Sequence, residues 1–105
     1  MSVDYEAFLG IGKRFDSELE VKDFLLQKTD LTIAQIECMI DGGTHIGMCV
    51  ACCLDYYSGE DWFVGFEIGG EQPDTLINNV VDAHERWKAI FKDVEPRVVH
   101  AVKVW

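Results

Sequence analysis

Lysine and arginine are missing from the whole middle of this chain. Among 105 residues there are 9 basic and 19 acidic side chains, a formal net charge of −10. None of the basic ones lies between Lys28 and Arg86, a stretch that carries carboxylates from Asp30 to Glu85. Such a field repels nucleic acid and anionic membrane, and it attracts cationic partners. Long apolar runs are absent as well: none approaches the roughly 18 residues that cross a bilayer. The opening MSVDYEAF has no basic stretch followed by an apolar one, so no export signal is expected and a cytoplasmic location is. In that compartment the four cysteines are expected to remain thiols.

Catalytic signatures are equally scarce. The Gly10-Ile11-Gly12-Lys13 run lacks the spacing of a phosphate loop, and Asp16 and Glu18 behind it would repel a phosphate. Cys49 and Cys52 have the spacing of a chelating pair. On an extended chain, however, they project to opposite faces, while Cys49 and Cys53 share a face about 13 Å apart. Cys38, His45, Cys49 and Cys53 form the one zinc set worth naming. The cysteines read better as small buried hydrophobes, and His84 and His100 as buried, hydrogen-bonded side chains. Neither an enzyme nor a bound cofactor or metal is expected.

What is present is a pair of apolar runs joined by Ser58-Gly59-Glu60-Asp61. Residues 44–68 read as a β-hairpin, with alternating large side chains at Ile46, Met48, Val50, Cys52, Leu54 and Tyr56, then at Trp62, Val64, Phe66 and Ile68. The other face carries Gly47, Cys49, Ala51, Cys53, Tyr57, Phe63 and Gly65, and is expected to point away from the helices. Residues 3–11 alternate as a first strand, and residues 97–105 as a last one. Ser17 with Glu20 is a capping box before a helix over 18–27. Thr32 with Gln35 is a second, and it favours helix over strand for residues 32–41. Pro73 suits a helix entrance, and Leu76, Val80, His84, Trp87 and Phe91, with Ile77, Val81 and Ile90, recur at helical spacing through residues 74–92.

This order predicts one α+β domain spanning residues 1–105, a ferredoxin-like split βαβ sandwich whose four-stranded antiparallel sheet has helices on one face. The first and last strands are expected on either side of the third. Rings ringed by carboxylates mark the hairpin end: Asp55, Tyr57, Glu60, Asp61, Trp62, Phe63 and Glu67 read as a partner-binding surface. The expected function is that of a non-enzymatic acidic module, an inhibitor or immunity-type protein masking the basic surface of a nucleic-acid-binding enzyme. The alternative is a homodimer or other oligomer that uses the small-residue sheet face for subunit pairing or a small ligand.

Overall fold

A computed structural model describes residues 4–42, 49–68 and 73–104. Its elements are β1 (Tyr5–Phe15), α1 (Glu18–Lys28), α2 (Ile33–Ile40), β2 (Val50–Cys53), β3 (Trp62–Glu67), α3 (Pro73–Ile90) and β4 (Arg97–Val104). The fold is α+β, with one four-stranded antiparallel sheet in the order β2-β3-β1-β4 and three helices. Val3, the first part of the expected hairpin with Gly47, the zinc candidate His45 and Trp105 lie outside the described residues.

Local chemistry sets the helix starts. The Ser17 hydroxyl accepts from the Glu20 N–H, while the Glu20 carboxylate takes the Asp16 N–H. At α2 the box is reciprocal: Thr32 Oγ1 accepts from the Gln35 N–H, and the Gln35 side chain accepts from the Thr32 N–H. Residues 33–40 are therefore helix. The first strand is longer than its alternation implied. Lys13, Arg14 and Phe15 continue it, paired with Val64, Phe63 and Trp62. Their charges find partners: the Lys13 ammonium lies over the Phe15 and Phe24 rings, 5.3 and 5.4 Å from the centroids, and Arg14 pairs with Asp61.

The neighbour expected for β4 was wrong. β3 lies between β2 and β1, and β4 lies against β1. β2 takes one edge of β3 and β1 the other, so β3 has no edge left for β4, which lies on the far edge of β1. The expected face of β2 was wrong too. Ala51 pairs with Val64 and Cys52 with Phe63, so odd residues of β2 share a face with even residues of β3. Cys49 and Ala51 are thereby buried with Phe24, Leu25, Ile36, Met39, Trp62, Val64, Trp87 and Phe91 under the helices.

The face away from the helices is not open. Phe8, Leu54, Phe63 and Val99 form a second core with no helical member, and the Phe8 and Phe63 rings meet edge to face at 4.9 Å. Two features make it. Gly12 and Gly65 are register partners, and a Cβ on Gly12 would stand 2.1 Å from the Val64 carbonyl oxygen, so the strands approach where only glycine fits. Beyond β2, the chain crosses to the other edge of the sheet. Val104 donates to the Leu54 carbonyl at 2.8 Å and accepts from the Tyr56 N–H at 3.0 Å, a parallel bridge between Asp55 and Val104. Both edges of the sheet meet there, and the rolled sheet encloses Phe63.

Candidate functional site

The turn between β2 and β3 starts earlier than the sequence pattern suggested. β2 stops at Cys53. Asp55 Oδ1 accepts from the N–H groups of Tyr57 and Ser58 at 3.1 and 3.2 Å, and the Gly59 N–H donates to the Asp55 carbonyl at 2.9 Å. An aspartate that caps its own turn competes with strand continuation. Gly59 takes a left-handed φ of 66°, which a glycine adopts without steric cost. Tyr56 and Tyr57 are thus lifted into solvent, 72 % and 53 % exposed, their rings edge to face at 5.7 Å.

The seven expected surface residues do not form one surface. Asp55, Tyr57 and Glu60 share the turn, with Tyr57 and Glu60 exposed. Asp61 is bound in a two-pronged pair: Arg14 Nε donates to Oδ1 at 2.7 Å and Nη2 to Oδ2 at 2.6 Å. This hydrogen bonding with Asp61 raises the Arg14 pKa further. Trp62 is buried on the helix side, its Nε1 donating to the Gly59 carbonyl at 2.9 Å, and Phe63 has no exposed area. The two expected anchors are core residues because the sheet is covered on both faces. Glu67 is exposed but stands about 17 Å along β3 from Trp62.

Tyr56 was missing from that set, and so was Tyr5. Tyr5 is 70 % exposed and pairs with Val104 on the side opposite Asp55. All three tyrosines of the chain therefore sit at one end of the sheet, with Asp4, Glu6 and Glu60 exposed and Asp55 partly so. Elsewhere most cations are held in internal pairs. Five of the nine basic residues are in ion pairs: Arg14–Asp61, Lys22–Glu37, Lys28–Asp93, Arg86–Asp82 and Lys88–Glu95. Hydrogen bonds from Lys28 and Lys88 lower the Asp93 and Glu95 pKa values.

The described cysteines and histidines converge on nothing. Cys49 is buried, Cys52 and Cys53 are partly buried and Cys38 is exposed, and no group of metal-binding side chains occurs among the described residues. Burial pushes the Cys49 and Cys52 thiols up to about 12 and about 11, and Cys53 upward as well, which disfavours the nucleophilic thiolate. His84 and His100 are exposed rather than buried. The helix buries Ala83 and Trp87, and Phe91 just beyond it is buried too, which turns His84 outward, while His100 lies on an edge strand. No described helix is long and apolar enough to cross a membrane. Comparison with protein-family models, curated proteins and solved structures found no match to this chain.

Proposed function

We propose that the chain is a non-enzymatic, cytoplasmic protein-binding module whose acidic, tyrosine-bearing end docks on a basic surface of another protein. The nucleic-acid-binding face of an enzyme, masked by an inhibitor of this kind, is the partner class that fits best. The observation carrying this reading is the gathering of all three tyrosines, exposed, beside Asp4, Glu6, Asp55 and Glu60. Tyrosine supplies rigid contact area with a polar tip, and a surrounding carboxylate field speeds encounter with a cationic face. The strand order, with the last strand on the first and the second on the third, supports a ferredoxin-like arrangement for the scaffold, elaborated by α2 and by the rolled sheet.

The test is capture of the partner from the native cell at low salt, elution in a salt gradient, and titration of the purified pair. Tyr57→Ala is expected to weaken the complex by about tenfold or more, and Glu60→Lys to slow association. Asp61, tied to Arg14, is the wrong residue for that reversal. A complex indifferent to salt and to both substitutions would remove this proposal. The small-residue sheet face offered for dimers loses its basis, because Cys49 and Ala51 are under the helices.

A further inference from the structure

We infer that the outer edge of β4 is a second binding surface, one that takes an extended acidic segment of another protein as a fifth strand. Backbone alternation identifies the free groups. The Leu9 carbonyl accepts from the Ile68 N–H at 2.8 Å, so Leu9 faces the β3 side. Phe8, Gly10 and Gly12 then bond to β4, through Ala101, Val99 and Arg97. The N–H and C=O groups of Val98, His100 and Val102 consequently point outward. Val104 has the same parity, and its outward groups already hold Leu54 and Tyr56. The edge thus pairs with extended chain within this molecule, and residues 98–102 continue that edge without a partner among the described residues. Val98 and Val102 flank it, 63 % and 59 % exposed. An edge left this way is a template for strand addition.

Charge selects the occupant. β4 contains Arg97, His100 and Lys103 and no carboxylate, in a chain with twice as many acids as bases. The side chains of Arg97 and His100 have no ion-pair or hydrogen-bond partner among the described residues, and both residues line a groove of about 630 Å³ at the start of the strand, with Lys13, with Arg14 paired to Asp61, and with one carboxylate, Glu95, paired to Lys88. A second copy would bring basic strand against basic strand, which cross-strand pairing penalises, between molecules that each carry −10. An incoming strand antiparallel to β4, like every other strand pairing within this sheet, fits with valine opposite Val98 and Val102 and glutamate opposite Arg97 and His100.

The probe is the peptide acetyl-Val-Thr-Glu-Thr-Val-Glu-Glu-amide, titrated into the intact protein by NMR, with a control carrying lysine for each glutamate. Binding with a Kd tighter than about 1 mM, shifts confined to β4 and its groove, and no response to the lysine peptide are expected. His100→Pro removes an outward N–H together with the imidazole, at an edge-strand position that tolerates proline, and it should abolish binding. Arg97→Glu, which leaves the ladder intact, should weaken it about tenfold. Failure of the glutamate peptide to bind, equal binding of both peptides, or indifference to both substitutions would overturn the inference. So would a wild-type dimer in sedimentation that His100→Pro renders monomeric, because the edge would then belong to a second copy.

Discussion

Phe63 shows how much one side chain's surroundings decide. Its ring lies against Phe8, and Cβ atoms built on Gly10 and Gly65 would stand 2.6 and 2.7 Å from its tip. Phe63→Ala is expected to cost about 3–5 kcal/mol, read as a lower urea midpoint, whereas a surface aromatic would cost little. The thiols add a pH effect. Burial raises Cys49 and Cys52 from 9.0 to about 12 and about 11. The folded protein therefore keeps these protons where the unfolded chain has released them. Their contribution is fully present below about pH 9 and is lost as pH climbs from there through about 11–12. Urea midpoints measured from about pH 8 to about pH 10.5 should fall in the wild type and fall less steeply in Cys49→Ala. Identical slopes would place the alkaline loss on other groups.

At the scale of elements, the β2–β3 turn is a latch. Asp55 orders the turn by accepting two N–H groups, and its neighbours hold the end of β4. Asp55→Ala should cost about 1–3 kcal/mol, while Asp55→Asn, which keeps an accepting oxygen, should retain most of the stability; equal losses in the two variants would show that charge, not the turn, matters. Features of this kind divide what the residues reveal from what they conceal. The Thr32–Gln35 capping box and the Ser17 cap were legible because donor and acceptor lie three residues apart, although Glu20 reaches the Asp16 N–H and not that of Ser17, and α3 was legible from its period. The end of β1 was not, because Arg14 and Asp61 are 47 positions apart and a Lys-Arg pair breaks the alternation. The face of β2 was hidden for a related reason. A turn beginning at Asp55 rather than Ser58 sets the register, and register decides which side chains meet the helices. The same early turn exposes Tyr56 and carries Leu54 across the sheet, and with it the burial of both Trp62 and Phe63 became unreadable from their flanking acids.

For the molecule as a whole, salt should act in opposite directions on stability and on association. The five ion pairs join partly or largely exposed side chains, as in Arg14–Asp61 at 50 % and 27 %, so each contributes little and screening removes little. The net charge of −10, by contrast, is a repulsion felt across the compact fold and relieved on expansion. Raising ionic strength from about 0.01 to about 0.15 M shortens the screening length from about 30 to about 8 Å, less than the molecule's 21 Å shortest extent. The thermal midpoint of the free protein should therefore rise over that range. Binding of a cationic partner at the tyrosine end should weaken over the same range, through slower association. Calorimetry and stopped-flow mixing on one preparation measure the two together. A midpoint that falls with salt would mean that the ion pairs outweigh the excess acid. A partner whose association rate does not fall with salt would mean that the carboxylates around the tyrosines play no part in steering it there.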